Sequence, residues 1–426
     1  MEYTGRYLVL NRDPRASDLP KLLRDRSGIK IASASDFPRG TVEASSLAGA
    51  DGVYFDTLGI AVMSSAPDQA EALTRGVPDQ IIIERERVVY PFNGPPRDYA
   101  TADAPRAAEL GYGPLALADL VCSLTADGVS ASVAIGIAAA INESAHTWGL
   151  ELTRTIASSR TGRGVKVAVL DTGFDGEHPD FAGRTITRRS FIEGETADDG
   201  HGHGTHCIGT ALGSLKPRAL PRFGIATGGE IFAGKVIADA GRGSDGSILA
   251  GINWALANGC RVISMSLGSP TQVGDTYSTV FEEAAKRALL ANCLLVAAAG
   301  NESRRKENRI NPVGHPANCP SIMAVGAVDS DLKIAPFSTR GMERDGGQID
   351  IVAPGVDVYS AAPNGGHERM SGTSMACPHV AGIAALYMEA HPNAKAREIW
   401  QLMVDNARRL DLEAADMGAG LAQAPS

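Results

Sequence analysis

Short apolar runs alternate with longer amphipathic segments from about residue 147 to the end of the sequence. Runs rich in Val, Ile, Leu and Ala predict buried strands at 165–171, 230–237, 260–268, 293–300, 321–328 and 349–355. Apolar residues recur at spacings of three and four in 247–259 and 278–292, which predicts helices. Such a pattern is typical of a parallel sheet covered on both faces, with its site beyond the carboxyl ends of the strands.

The first 96 residues show shorter elements with alternating apolar positions. Strands are predicted at 6–11 and 81–92, two β-rich segments at 29–33 and 52–65, and helices at 16–28 and 67–76. The order β-α-β-β-α-β is that of a split βαβ unit. We expect a small α+β domain over 1–96, and the pattern alone leaves its binding partner open.

The segment between these two parts has no clear periodicity at its start. Residues 92–116 are rich in Pro, Gly and Ala, which is typical of a linker or an irregular insertion. Residues 132–146 could form a helix behind it. We expect a linker or insertion over 97–146 and a main domain over 147–426.

Composition narrows the function classes. The 426 residues carry 40 Lys and Arg against 49 Asp and Glu, a formal net charge of −9 without a block of like charges, which argues against a nucleic-acid partner. The longest apolar run, 133–141, is far shorter than the roughly 20 residues of a membrane span. The N-terminus has no signal-peptide pattern and the six cysteines form no CxxC pair, so we expect a cytoplasmic protein. A leader that had been removed would make it a secreted one.

Three polar residues lie at the ends of predicted strands and helices, where catalytic side chains are expected. Asp171 ends a strand before a Gly turn, His203 begins a segment with helical spacing, and Ser374 opens an apolar helix in which Pro378 lies near the start. Each has a structural alternative, as a cap or a turn residue. A zinc site on the histidines of 201–206 lacks a Cys or carboxylate at familiar spacing. Together, however, a Ser, a His that takes its proton and a carboxylate that orients the His can form a nucleophilic triad.

The order Asp171, His203, Ser374, with the motifs DTG, HGTHC and GTSMACPHVAG, resembles the subtilisin-like serine proteases (subtilases). The resemblance runs from about Trp148 to Ala424. It implies a subtilisin-like α/β fold with a mostly parallel sheet flanked by helices, and catalysis without a cofactor. It assigns Asp171 to orientation, His203 to general base and acid, and Ser374 to the nucleophile, whereas His206 is expected to pack structurally.

The resemblance extends to the substrate groove. Asn301 in VAAAGNE would complete the oxyanion hole beside the backbone N–H of Ser374. The segments 241–246 and 264–269 resemble two edges that pair with an extended peptide. The implied substrate-binding residues are Gly243, Ser244 and Asp245 on the first edge, Ser266, Leu267 and Gly268 on the second, and Ala298, Ala299, Gly300 and the pocket floor Gly314. A floor without a side chain predicts a preference for large apolar or aromatic residues before the scissile bond.

Two departures from the family concern metals and thiols. The segment 213–229 replaces an Asn-rich loop that binds structural calcium in many relatives, and its Lys and Arg residues supply no oxygen ligands. Asp180 matches one family calcium ligand, but one carboxylate is not a site, so calcium is not supported at this loop and stays open elsewhere. Cys207 and Cys377 resemble buried thiols of some relatives, and we interpret them as small core residues.

The order of elements in 1–96 resembles the family's propeptide, which assists folding and blocks the cleft. Its exit should lie in VVYPFN (88–93), with Tyr90 or Phe92 offering a large side chain to the pocket, and the cut could fall anywhere across 90–146. The alternative is an unrelated domain that recruits substrates or partners.

We therefore expect a serine endopeptidase made as a self-inhibited zymogen, which forms an acyl-enzyme on Ser374. Its expected partners are protein or peptide substrates and its own N-terminal domain, with neither nucleic acid nor membrane. A transpeptidase or peptide cyclase would use the same triad but transfer the acyl group to an amine. A non-catalytic peptide-binding scaffold is the alternative from another class.

Overall fold

A computed structural model describes residues 2–13, 18–36, 50–76, 79–92, 143–342 and 346–426. We call the described residues up to 92 the front unit and those from 143 onwards the main part. The front unit has strands β1 (Tyr3–Asn11), β2 (Ile31–Ser33), β3 (Gly52–Phe55), β4 (Ile60–Ser64) and β5 (Ile81–Pro91), with helices Leu19–Ser27 and Pro67–Gly76. The segment predicted at 29–33 corresponds to β2, and the segment predicted at 52–65 is divided into β3 and β4, so the front unit has one strand more than predicted.

The main part is built on a second sheet. Its strands are β6 (Lys166–Asp171), β7 (Ile186–Ser190), β8 (Glu230–Lys235), β9 (Gly243–Ser244), β10 (Val262–Met265), β11 (Leu267–Gly268), β12 (Leu294–Ala298), β13 (Met323–Val328), β14 (Ile351–Pro354), β15 (Val358–Ala362) and β16 (Gly366–Met370). Seven of them form one sheet in the order β14-β13-β12-β10-β6-β8-β7, and every pairing is parallel. This confirms the expected α/β class with a parallel sheet. The predicted strand at 260–268 is divided into β10 and β11.

Helices cover both faces of this sheet. We name four of them by a residue each: the His203 helix (His203–Leu212), the Asp245 helix (Asp245–Ala257), the Thr279 helix (Thr279–Leu290) and the Ser374 helix (Thr373–Ala390). The others are Trp148–Leu152, Ala396–Asp405 and Ala414–Met417. One large apolar cluster includes residues of the His203 and Ser374 helices, and a second includes residues of the Asp245 and Thr279 helices. Strands buried on both faces explain why their sequences are continuous apolar runs.

The front sheet runs β5-β1-β4-β3-β2 and also has two apolar faces. Side chains alternate along a strand, so Val9 points into the front unit's own core, whereas Leu8 and Leu10 join the cluster of the Asp245 and Thr279 helices. The same alternation divides Ala61 from Ile60. The main part therefore covers one face of the front sheet.

Residues 93–142 lie outside the described residues, and with them the boundary at 96, most of the linker predicted over 97–146, and Cys122. The helix considered for 132–146 is wrong at its end, because residues 143–146 form a bend and an isolated bridge between His146 and Arg222. Within the described ranges, no helix combines the length and apolar character that a bilayer crossing would need.

Candidate active site

Asp171 and His203 are joined at the carboxyl end of the main sheet. Asp171 is the last residue of β6, and its Oδ1 lies 2.7 Å from His203 Nδ1. The same oxygen accepts the backbone N–H of Thr172 at 2.8 Å. Both side chains are buried. A carboxylate on Nδ1 fixes the tautomer that leaves Nε2 free to accept a proton.

The loop between these two residues is organised by Asp199. Its Oδ1 accepts the hydroxyl of Thr172 at 2.8 Å and the backbone N–H of Gly202 at 2.8 Å, and its Oδ2 accepts the hydroxyl of Thr205 at 2.7 Å. Burial alone would raise the pKa of Asp199, but these hydrogen bonds outweigh burial and lower it. An ionised Asp199 therefore holds the start of the His203 helix against the Asp171 loop.

Ser374 lies in the first turn of its helix, where Pro378 changes the hydrogen bonding. A proline has no N–H to donate to the carbonyl four residues earlier, so the carbonyl of Ser374 loses its usual helical partner. The hydroxyl of Ser266 donates to that carbonyl instead, at 2.7 Å. The proline thus lets the groove wall at Ser266 bond directly to the backbone of Ser374.

The Ser374 hydroxyl donates to the carbonyl of Ser266 at 3.0 Å. His203 Nε2 is buried and has no hydrogen-bond partner among the described residues. Cys207 Sγ lies 3.8 Å from His203 Nδ1 and 3.5 Å from the Ser374 carbonyl, so one thiol contacts both residues. The structure therefore brings Asp171, His203 and Ser374 to one place, with the serine hydroxyl turned to the groove wall.

The electrostatics differ sharply between two neighbouring histidines. Burial alone would lower the pKa of His203, but the charge of Asp171 and its hydrogen bond outweigh burial and raise it. Burial lowers the pKa of His206 to about 3, and its Nε2 lies 3.0 Å from the Val358 carbonyl. His206 is therefore a neutral packing residue. Among the described residues, His201 and His206 belong to no group of potential ligand atoms, whereas His203 is grouped with Asp171 and Cys207.

Asn301 is oriented by its neighbour in the fold, Thr373. Its Oδ1 accepts both the backbone N–H and the hydroxyl of Thr373 at 2.9 Å. Its Nδ2 donates to the carbonyl of Phe92 at 2.7 Å. The side-chain amide is therefore fixed with its N–H groups towards the peptide chain of the front unit.

Gly300 and Glu302 flank this amide. Gly300 has a φ of +122°, and a Cβ on it would lie 2.5 Å from Glu302 Oε2, so the position requires glycine. Burial raises the pKa of Glu302 to about 7, and its Oε2 has no hydrogen-bond partner among the described residues. A carboxyl that changes protonation near neutral pH therefore lies next to Asn301.

The two predicted groove edges hold strand β5 between them. Leu267 and Gly268 of β11 pair antiparallel with Pro91 and Tyr90. On the other side, β9 pairs antiparallel with β5, with Gly243 opposite Val89 and Ser244 opposite Val88. Asp245 follows β9 and bonds to Arg87 of the same strand. The front unit thus occupies the groove as an extended peptide.

Phe92 occupies the pocket that these edges enclose. A Cβ on Gly268 would lie 2.7 Å from Phe92 Cζ, and one on Gly314 would lie 3.3 Å from it, so the absence of side chains makes room for the ring. The backbone N–H of Phe92 donates to the Ser266 carbonyl at 3.2 Å. The remaining predicted wall residues are buried behind these glycines: Ala298 and Ala299, with the Ala299 carbonyl accepting the N–H of Gly314 at 2.8 Å.

The five described cysteines, among them Cys207 and Cys377, are buried free thiols. Burial raises the pKa of Cys207 well above its ordinary value and that of Cys377 to about 11. Thiols that stay protonated are poor nucleophiles, which suits their interpretation as small core residues.

The cytoplasmic location remains a prediction.

The donors around Asp180 do not fit a calcium ion. Its Oδ2 lies 2.7 Å from His367 Nε2, and its Oδ1 accepts the backbone N–H of Arg218 at 2.6 Å. Calcium takes six to eight oxygen ligands. The potential ligand atoms grouped here come instead from His178, Asp180 and His367, and His178 Nε2 already lies 2.8 Å from the Gly366 carbonyl. Both oxygens of Asp180 are thus used by hydrogen-bond donors.

Sequence reasoning missed several residues that position this site. Ser266 was assigned to the pocket wall, but it also bonds to both the carbonyl and the hydroxyl of Ser374. Thr373 and Asp199 were not singled out, although the former directly precedes Ser374 and the latter lies in the acidic pair before HGHGTHC. A polar residue next to a candidate nucleophile was a usable signal for Thr373.

The sequence is similar to known proteins over much of its length. Residues 162–421 match the model of the subtilase family. Subtilisin DY of Bacillus licheniformis is 38% identical over 255 residues, which cover 60% of this chain and 87% of that protein. Subtilisin of Bacillus pumilus is 41% identical over 243 residues, 56% of this chain and 82% of that protein. Subtilisin E of Bacillus subtilis (strain 168) is 41% identical over 243 residues, 56% of this chain and 60% of that protein.

Proposed function

Because the chain belongs to the subtilase family, we propose that Asp171, His203 and Ser374 form its catalytic triad and that the front unit inhibits it in a zymogen. The chain is a serine endopeptidase, a hydrolase that acts on proteins or peptides. The finer proposal is that its first cut falls between Phe92 and Asn93, within its own sequence.

The proposed chemistry follows the geometry of the three residues. The proposed reaction requires the Ser374 hydroxyl to turn from the Ser266 carbonyl to His203 Nε2, which has no hydrogen-bond partner among the described residues. Nε2 takes the hydroxyl proton as Oγ forms a bond to the peptide carbonyl carbon. Asp171 stabilises the resulting imidazolium. The oxyanion lies between the Asn301 amide and the backbone N–H of Ser374.

The tetrahedral intermediate then collapses. Its C–N bond breaks, and the leaving amine takes the proton from His203, which leaves an acyl-enzyme on Ser374. Water attacks the ester by the same route in reverse, His203 accepting its proton and returning it to Ser374. The products are a carboxylic acid and an amine, so the net reaction is hydrolysis of one peptide bond.

The position of Phe92 carries the proposal. Its carbonyl oxygen accepts the Asn301 amide at 2.7 Å, where the oxyanion would form, and its N–H bonds to the Ser266 carbonyl that also accepts the Ser374 hydroxyl. Its ring fills the pocket above Gly268 and Gly314. A segment bound in this way supports a bond cut directly after Phe92 and a preference for large apolar or aromatic residues at that position.

Polar contacts support the inhibitory role of the front unit. Glu86 Oε1 accepts the backbone N–H of Gly246, in the first turn of the Asp245 helix, at 2.9 Å. Glu84 accepts the Ser278 hydroxyl at 2.6 Å and the backbone N–H of Val280 at the start of the Thr279 helix at 3.2 Å. Carboxylates at helix N-termini are stabilised by the helix dipole and by the unpaired N–H groups. Strand β5 thus binds the groove with its backbone and two helices with its side chains.

N-terminal sequencing of the purified full chain tests the proposal. Wild type should show a new N-terminus at Asn93 and react with a fluorophosphonate probe, whereas Ser374→Ala should stay whole and unreactive. Loss of the nucleophile should lower turnover by about 10⁴-fold or more, a magnitude known for triads of this family.

Ser371→Ala is the matched control, because it removes a serine hydroxyl three residues away that bonds to the Asp357 backbone. It should process like the wild type. Identical processing of wild type and Ser374→Ala would contradict self-cleavage, and a processed wild type that ignores the probe would contradict the triad.

A further inference from the structure

A buried carboxylate at the groove edge contacts a basic residue of the bound strand. Asp245 is the first residue of its helix, and none of its surface is exposed. Its Oδ2 accepts the backbone N–H of Arg87 at 2.9 Å and lies 3.3 Å from Arg87 Nη1. One oxygen therefore binds both the main chain and the guanidinium of the same residue.

The other oxygen of Asp245 is held from within the main part. His315 Nε2 lies 2.9 Å from Oδ1, and His315 is 2% exposed. The backbone N–H and carbonyl of His315 both bond to Ser269 at 2.9 Å, and its ring packs edge-on against Phe281 with centroids 4.6 Å apart. These partners all belong to the main part. The carboxylate therefore keeps its orientation when the front unit leaves.

The register of the groove gives Arg87 a defined position. Counted back from Phe92, Arg87 is the sixth residue, and it directly precedes the pair Val88 and Val89 that form the ladder with β9. Ladder hydrogen bonds involve the main chain and accept any sequence. In an extended substrate, the residue directly before the cut would fill the Phe92 pocket. The sixth residue, counted back from the cut, would then lie beside Asp245.

We propose that Asp245, oriented by His315, selects Arg or Lys at the sixth position before the bond that is cut in protein substrates. This rests on the proposed function, because it takes the groove that β5 occupies as the substrate groove. A guanidinium gains charge-assisted hydrogen bonds to a carboxylate that His315 already orients. A carboxylate at the same position is repelled, and a neutral side chain leaves only the main-chain bond.

A second charge at this edge acts at a different position. Arg242 lies over the ring of Tyr90, 6.0 Å from its centroid, and pairs with Glu2. Tyr90 is the third residue counted back from Phe92. Arg242 therefore disfavours a basic residue at the third position, whereas Asp245 favours one at the sixth.

A peptide series tests the selection. The full chain is allowed to process itself, its active sites are titrated with a fluorophosphonate, and it is given quenched fluorescent peptides with the sequence of residues 86–93. Position 87 is Arg, Lys, Gln or Glu. We expect kcat/KM for Arg and Lys to exceed that for Gln by about tenfold, the range of one hydrogen bond to a charged group. Glu should be the poorest.

The variant Asp245→Asn should reduce the Arg-to-Gln ratio to below about twofold. The ratio is taken within each enzyme, so a change in overall activity cancels. Asp331→Asn is the matched control, since it removes a carboxylate that is 72% exposed and should keep the wild-type ratio.

A wild-type ratio below about twofold, with both peptides cut after Phe, overturns the proposal. A ratio that Asp245→Asn leaves unchanged overturns it as well. If Asp245→Asn does not fold, the peptide series with the wild-type enzyme decides the proposal by itself. Cleavage of no peptide by titrated enzyme would instead contradict the proposed peptidase function, so the two failures are distinguishable.

Discussion

The front unit and the main part bury their sheets in different ways. The seven-stranded main sheet is covered by helices of its own part on both faces. The front sheet is covered by its own helices on one face only, through the cluster that includes Val9, Leu23 and Met63. Its other face, with Leu8, Leu10 and Ile60, belongs to the cluster of the Asp245 and Thr279 helices.

The front unit therefore buries all of its apolar surface only when it is bound to the main part. Apolar side chains such as Leu8 and Ile60 would be exposed to water if it were alone, and each would lose roughly 1.5–3 kcal/mol of burial. The main part has no such dependence within the described residues of its sheet. The proposed inhibition and the folding of the front unit would therefore rely on the same surface, whereas the proposed catalysis would rely on residues of the main part.

The largest expected effect concerns Asn301, which lies where the main part contacts the front unit. Asn301→Ala removes the amide that contacts Phe92, and kcat should fall by about 10²–10³-fold, a magnitude known for this donor in the family. The ladders of β5 with β9 and β11 do not involve Asn301, so binding of the front unit should change much less. Steady-state kinetics on a peptide and release of the front unit measure both. Equal loss in both would contradict the division.

Acidification should lower activity through His203 of the main part. His203 must be neutral to accept the serine proton, and its pKa is raised by Asp171 after the opposing effect of burial, so kcat/KM should fall tenfold per pH unit below a pKa higher than 6.5. A pH–rate profile checks this limb. Glu302→Gln is the control, because burial raises the pKa of Glu302 to about 7 and could give a similar limb. A limb that disappears in this variant would assign it to Glu302.

Substitution of Glu86 in the front unit should change the release of that unit and leave kcat unchanged. Glu86 has a fully buried side chain that pairs with Arg6 and caps Gly246, so Glu86→Gln should hasten release of the cleaved front unit about tenfold. The half-time for activity to appear after dilution measures release. Glu71→Gln is the control, since Glu71 is 68% exposed on the front unit. A changed kcat in Glu86→Gln after release of the front unit would contradict the view that Glu86 affects only binding of that unit.

The smallest effect concerns stability within the main part. Asp180 is bonded to His367 and Arg218 in place of a cation, so chelation by EDTA should leave the melting temperature unchanged. His367→Ala leaves the buried Asp180 without one donor and should lower the melting temperature by about 2–8 °C. Calorimetry with and without EDTA measures both. A drop on adding EDTA to the wild type would indicate a bound cation.

The sequence was informative where the signal is local or repeats. Alternation located β1 and β5 to within a few residues, and the motifs around Asp171, His203 and Ser374 located residues that the fold brings together. The choice between Tyr90 and Phe92 could not be made, because register in the groove is set by ladders with distant strands. The pairing of Asp180 with His367, 187 residues apart, has no local pattern either.

The carbonyl that Pro378 leaves without a helical partner couples the pocket to the nucleophile. Through its hydroxyl, Ser266 ties the groove wall to the backbone of Ser374. A substrate side chain too bulky for the cavity would push the wall, and the attacking oxygen would leave its line of approach. Discrimination between fitting and ill-fitting peptides would then appear as slow turnover of bound complexes rather than as weak association.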